Sequence, residues 1–145
     1  EEVPVACGMR VFLDANILFS AARSSGAINQ LVHHLAQSGH ACCVDSYVIE
    51  EARRNLAIKA PEQLSEFEHL LRRMEQATAM HGGDDELEAS LPLPARDRPV
   101  LAAAIRRQCD ALVTGDRTHF GALYGHTVHG VAIHSPRSLA EALLS

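Results

Sequence analysis

The chain has 145 residues, of which 47% are hydrophobic and 21% charged, and it carries a formal net charge of −5 at pH 7. That length suits one ordinary domain able to bury roughly 70% of the surface its unfolded form exposes, and the composition excludes an intrinsically disordered chain. No stretch approaches the roughly 18 uninterrupted apolar residues a membrane helix needs, and the opening at Glu1 and Glu2 lacks the basic start of a secretory signal, so a cytoplasmic protein without membrane contact is expected.

In chain order, residues 1–8 read as an N-terminal extension to a single domain over 9–145. Met9 to Leu13 (MRVFL) predicts a short buried strand, because its apolar run ends at once in the polar Asp14-Ala15-Asn16. A helix is expected after Gly26, where Ile28, Leu31, Val32 and Leu35 recur at helical spacing until Ser38-Gly39 stops them. His40 to Asp45 (HACCVD) is a second strand. Tyr47 to Ile58 then carries a helical pattern in Val48, Ala52 and Leu56. Pro61 breaks it before a second helix that runs to about Met80 on Leu64, Phe67, Leu70, Leu71 and Met74. The two predict an antiparallel helical pair with more apolar positions than one small sheet covers.

His81 to Pro94, with Gly82-Gly83, an acidic cluster at Asp84 to Glu86, Pro92 and Pro94, reads as a loop or weak strand. Asp97 to Gln108 is a predicted helix, Ala111 to Thr114 a strand, Gly130 to His134 a last strand, and Pro136 to Leu144 a final helix. Strands alternating with helices predict a three-layer α/β/α sandwich around a central parallel sheet, an architecture whose ligands bind beyond the carboxyl ends of the strands. Asp14 follows one strand directly and Asp116 follows another after a single glycine, so both are expected at that edge.

The four cysteines, Cys7, Cys42, Cys43 and Cys109, show no C-x-x-C spacing and are read as reduced thiols. Nine histidines without H-E-x-x-H or finger spacing give no zinc motif. Any metal chemistry therefore rests on oxygen ligands, and the candidates each have a purely structural alternative. Asp14 could close an Asx turn or cap a helix, and Asn16 could bond its own loop. Asp116 could be a turn residue after Gly115, and Thr114 could simply end its strand or could fix a carboxylate. Asp97, ahead of Pro99, is a natural N-cap, though Val100 supplies no capping-box partner. Glu50 and Glu51 project about 100° apart on their helix, so only one of them can face the strand ends.

The blocks VFLDANIL, SYVIEEARRNL, ARDRPVLAAAIRRQCDALVTGD and RTHF resemble the PIN-domain family, especially its VapC-type branch of toxins from bacterial and archaeal toxin–antitoxin modules. The resemblance covers nearly all of the chain from Met9 onward. It implies a ribonuclease that uses Mg²⁺ or Mn²⁺ to hydrolyse RNA phosphodiester bonds. Its catalytic and metal-binding acids would be Asp14, Glu51, Asp97 and Asp116, with Asn16 and Thr114 as supports. Glu51 is preferred to Glu50 because the family's acid directly precedes a run like ARRNL. The resemblance also implies a homodimer and an antitoxin protein as partner.

The chemistry suits the residues. A phosphodiester repels nucleophiles and has a poor leaving group; divalent ions lower the pKa of water from about 15.7 toward neutrality and stabilise the leaving oxygen. Mg²⁺ and Mn²⁺ prefer oxygen ligands, so three or four acids suffice. The net charge of −5 is unusual for an RNA-binding protein, but two bound divalent ions would bring the total to −5 + 4 = −1. A haloacid-dehalogenase-like phosphatase would need an Asp-x-Asp pair and a lysine, whereas here the third position is Asn16 and the single lysine is Lys59. The remaining alternative is a catalytically silent PIN fold that binds RNA or protein.

Overall fold

The computed structural model describes residues 8–80 and 86–144. Cys7, most of the 1–8 extension and the Gly82-Gly83 and Asp84-Asp85 part of the acidic loop lie outside the described residues.

Six strands form one sheet: β1 (Arg10–Leu13), β2 (Ala41–Asp45), β3 (Glu75–Ala77), β4 (Ala111–Val113), β5 (Thr127–Val128) and β6 (Val131–His134), in the order β3-β2-β1-β4-β6-β5. All neighbours pair in parallel except β5 with β6. Those two close a hairpin through His129 (φ 47°) and Gly130 (φ 86°), and two successive positive φ values are what a type I′ turn requires. Among the described residues the α-helices are α1 (Ala15–Arg23), α2 (Ala27–Gln37), α3 (Ser46–Lys59), α4 (Leu64–Leu71), α5 (Glu86–Ser90), α6 (Arg98–Arg106), α7 (Arg117–Phe120) and α8 (Pro136–Leu144).

From β1 the chain steps outward through β2 to β3, then returns by way of α5 and α6 to β4 on the other side of β1. Because parallel crossovers are right-handed, this reversal puts the two helix groups on opposite faces of the sheet. The contacts agree: α1 packs with α2, α3 and α4, while α5 packs with α6. The result is the three-layer α/β/α sandwich expected from the alternation of elements. The central strands are covered on both sides, with Val11, Phe12, Leu13, Cys43, Val44, Leu112 and Val113 fully buried. The point of reversal lies between β1 and β4, and their carboxyl ends form a crevice there.

Four local expectations change. A helix, α1, starts directly after β1, because Asp14 caps it and Ile17, Leu18, Ala21 and Ala22 form a buried helical stripe. The helix expected to reach Met80 stops at Leu71. There the amides of Arg73 and Met74 bond the carbonyls of Leu70 and Leu71 in tighter turns, and the Gln76 side chain donates to the Leu71 carbonyl at 2.8 Å. The chain then extends as β3 against β2, and the loop after it contains the short α5. Finally, Val48, Ala52, Leu56, Phe67, Leu70 and Leu71 of the helical pair are buried within this one chain, and Ile58 is the large apolar side chain of the pair left exposed, at 78%.

Cys42, Cys43 and Cys109 are buried free thiols. Among the described residues, no helix is long and apolar enough to cross a membrane.

Candidate functional site

The crevice between β1 and β4 is organised by Thr114. Its hydroxyl donates to Asp14 Oδ2 at 2.7 Å and accepts the amide of Asp116 at 3.1 Å, so one side chain sets the spacing of two carboxylates from different strands. Asn16 completes the tie. Its Oδ1 accepts the Gly115 amide at 2.8 Å, and its Nδ2 lies 3.4 Å from both Asp14 Oδ2 and Thr114 Oγ1. Gly115 lets that amide come close, since a Cβ there would stand 3.3 Å from Asn16 Oδ1.

Asp14 is 7% exposed, and its carboxyl pKa is raised from the ordinary 3.8 to about 6. Burial is the main cause. Hydrogen bonds from Thr114 and the Ala15 amide pull it back, and the charges of Glu51 and Asp97 push it further up. Asp14, Glu51 and Asp97 are thus close enough to feel one another. The same three charges help burial raise the pKa of Tyr47. The Tyr124 phenol is likewise raised, by burial first and also by Asp116 and Asp14. Two tyrosines flank the acids on either side: Tyr47 donates to the Arg96 carbonyl at 2.7 Å and Tyr124 to the Thr114 carbonyl at 2.7 Å. The first of these bonds tethers the turn that presents Asp97.

Glu51 and Glu50 are both exposed on α3 but look in different directions. Glu50 borders a separate groove with Ser46, Arg53, Gln76 and Thr78, whereas Glu51 is the one whose charge reaches Asp14.

Asp97 occupies the N-cap position of α6, yet its side chain makes no capping hydrogen bond. The capping role suggested by its sequence context is not taken up. Asp116, by contrast, caps α7 by accepting the His119 amide at 3.2 Å.

His119 is a site residue that sequence reasoning passed over. Its Nδ1 lies 2.9 Å from Asp116 Oδ2 and 3.0 Å from Asp97 Oδ2, joining acids from two elements. A signal existed: His119 stands three residues after Asp116, the spacing that places two side chains on one helix face. Among the described residues, Asp97, Asp116 and His119 form a group whose donor atoms lie within 4.8 Å of one another, close enough to hold one ion.

The donor set fits a divalent cation. Asp97 Oδ2 is buried without a hydrogen-bond partner, a costly state for a carboxylate oxygen, and like-charged groups around it add repulsion. A hard cation with oxygen ligands relieves both. Among the described residues, the ion-pair partner of Asp97 and Asp116 is His119, and no arginine neutralises them.

The fold that carries this crevice is shared with known proteins. Among solved structures the chain is similar to VapBC2 from Rickettsia felis bound to a DNA fragment from their promoter, with TM-score 0.64 and 18% identity over 88% of this chain and 98% of that one. It is similar to DNA-bound VapBC from Salmonella typhimurium, with TM-score 0.61 and 15% identity over 88% and 98% of the two chains. FitAcB from Neisseria gonorrhoeae also matches, with TM-score 0.54 and 16% identity over 88% and 98%. No curated protein sequence matches significantly. At these identities the structural likeness establishes the fold. A sequence model of the PIN domain matches residues 10–118, a span that runs from β1 into the start of α7 and takes in Asp14, Glu51, Asp97 and Asp116; the chain belongs to the PIN-domain family.

Proposed function

We propose that this chain is a divalent-metal-dependent endoribonuclease, with residues 9–145 as its one nuclease domain and with Asp14, Glu51, Asp97 and Asp116 as the metal-holding acids. The observation that carries the proposal is the buried Asp97 Oδ2, without a hydrogen-bond partner and set beside Asp116, whose ion pairs among the described residues are with His119 alone. These carboxylates would hold Mg²⁺ or Mn²⁺, which would supply Lewis acidity for activating water and for stabilising the leaving oxygen of a phosphodiester. The chain's own part is positional. Thr114 locks Asp14 to the backbone of Asp116, Asn16 fixes the Gly115 turn, and Tyr47 holds the loop that presents Asp97. Fixed carboxylates need no rearrangement when charge develops on the phosphate.

Similarity to the VapBC and FitAB assemblies supports a toxin-type role with an antitoxin-like partner protein, while a homodimer rests on the family resemblance. RNA, rather than DNA, as substrate rests on family resemblance.

The test combines cleavage and melting. Purified protein is incubated with RNA in Mn²⁺, in Mg²⁺ and in EDTA, and cleavage is expected only with metal. In parallel, Mn²⁺ at a hundredfold excess over Kd should stabilise the wild type by about 2.7 kcal/mol, and Asp14→Asn should largely abolish that shift. Equal metal responses in wild type, Asp14→Asn and Asp97→Asn would remove these acids as ligands. Metal-dependent stabilisation without cleavage would point to a silent RNA- or protein-binding module instead.

A further inference from the structure

We infer that His119 is itself a metal ligand, and that its nitrogen gives this site a preference for Mn²⁺ and later divalent transition ions over Mg²⁺. The inference rests on the metal-site reading above but adds a residue and a selectivity to it.

The argument starts from hydrogen-bond capacity. An imidazole Nδ1 carries at most one hydrogen. Here that one atom stands 2.9 Å from Asp116 Oδ2 and 3.0 Å from Asp97 Oδ2. The Asp116 contact has hydrogen-bond geometry, while Asp97 Oδ2 remains without a hydrogen-bond partner. In the other tautomer, Nδ1 presents a lone pair to two carboxylates and satisfies neither. No protonation state of His119 satisfies both acids through Nδ1, whereas a cation accepts electron pairs from all three groups.

The spacing suits that role. Metal–ligand bonds of about 2.1 Å put adjacent donors of an octahedron about 3.0 Å apart. The two edges that meet at His119 Nδ1, 2.9 and 3.0 Å, match this spacing, and all three donor atoms lie within 4.8 Å of one another. Little movement is needed to replace the proton by an ion. The histidine is also anchored for the task. Its amide bonds Asp116 Oδ1 at 3.2 Å, and the adjacent Phe120 is fully buried, which holds α7 against the core.

Selectivity follows from ligand chemistry. Mg²⁺ takes oxygen donors and gains little from imidazole, whereas nitrogen donors favour first-row transition ions, with affinity rising from Mn²⁺ toward Ni²⁺. A site of carboxylates alone would discriminate less.

The test reads the metal directly. Protein labelled with ¹⁵N-histidine is loaded with Mn²⁺ and studied by pulsed electron paramagnetic resonance; Mn²⁺, Ni²⁺ and Mg²⁺ affinities are measured by calorimetry for wild type, His119→Ala and Asp116→Asn. A ¹⁵N coupling on bound Mn²⁺ is expected in the wild type and should vanish in His119→Ala. That variant should lose about tenfold or more in Mn²⁺ and Ni²⁺ affinity while Mg²⁺ affinity changes less than about threefold. The wild-type coupling stands as evidence even if a variant fails to fold. Mn²⁺ that binds, depends on Asp116 and shows no nitrogen coupling would overturn the His119 ligand while leaving the acidic site intact. Wild-type protein that binds none of the three ions would overturn both.

Discussion

The two ends of the sheet treat charge in opposite ways. At the amino end, Arg10 spans from β1 toward β3: its amide bonds Asp110 Oδ2 at 2.8 Å, its guanidinium donates to Glu75 Oε1 at 2.8 Å, and it also reaches the Arg107 carbonyl. Arg107 in turn bonds the carbonyls of Val44 and Glu75. Cations and anions alternate there, the Glu75 carboxyl is held below its usual range mainly by Arg10, and burial and partners balance. At the carboxyl end, Asp14, Glu51, Asp97 and Asp116 gather with one histidine among them. Charges at the amino end are paired side chain to side chain; at the carboxyl end the ion pairs made by Asp97 and Asp116 among the described residues are those with His119. Asp45 sharpens the contrast. It too is buried at a strand's carboxyl end, yet its Oδ1 accepts the Val48 amide at 3.2 Å and it caps α3. Asp14 and Asp116 also accept one backbone amide each, so what separates Asp45 is its company: the charge acting on it is the Arg107 cation and not another acid. Asp97 sits at the same kind of helix start and leaves its carboxylate free of the backbone.

Four measurements can break this distinction. The largest effect is expected for Asp116→Asn, which should reduce metal-dependent RNA cleavage by more than about a hundredfold while the fold, followed by circular dichroism, survives. Cleavage unchanged within a few-fold would place the chemistry elsewhere.

The next concerns acid and the metal-free protein. Asp14 titrates near 6 in the folded chain against 3.8 ordinarily, so the folded state binds its proton more tightly than the unfolded one. Stability from this group is therefore present below about pH 4, falls as pH rises toward 6, and is then constant at its lower level, a loss of about 3 kcal/mol. Denaturant melts in EDTA at pH 4, 5, 6 and 7 should show that extra slope in wild type and not in Asp14→Asn. Parallel curves for the two proteins would mean that Asp14 is not the strained acid.

A smaller change is expected at Asp45→Ala, which removes a cap and should cost about 1 kcal/mol. The cost should be equal in EDTA and in Mn²⁺, and a metal-dependent cost would move Asp45 from frame to site. The smallest belongs to Glu75→Gln at the amino end. Its side chain is 50% exposed and that of Arg10 35%, so solvent screening should hold the loss to about 0.5 kcal/mol, shrinking further in 1 M salt.

What the sequence displays follows the same division. Buried strands such as VFL and ALV are legible because apolar runs bounded by polar residues have few alternatives, and the acids that follow them are placed by that boundary alone. β3 was not legible: Glu-Gln-Ala has no strand preference, and it becomes a strand only because β2 offers it an edge after α4 has closed at Leu71. α1 was hidden because Asp14-Ala15-Asn16 looks like the end of an element while it is also the start of the next. His119 escaped for a different reason. Its neighbour Asp97 is remote in sequence, and only the folded chain brings that carboxylate within 3.0 Å of the His119 ring.

The short outer strands carry one further consequence. Among the described residues the sheet ends in β3, with three residues and an exposed Glu75, and in β5, with two residues tied into a hairpin. Neither edge offers a run of free backbone long enough to template another strand. Growth of the sheet from chain to chain, and with it fibril-like stacking, is blocked at both margins. Among the described residues, helices and side chains are what remains for a partner to grip.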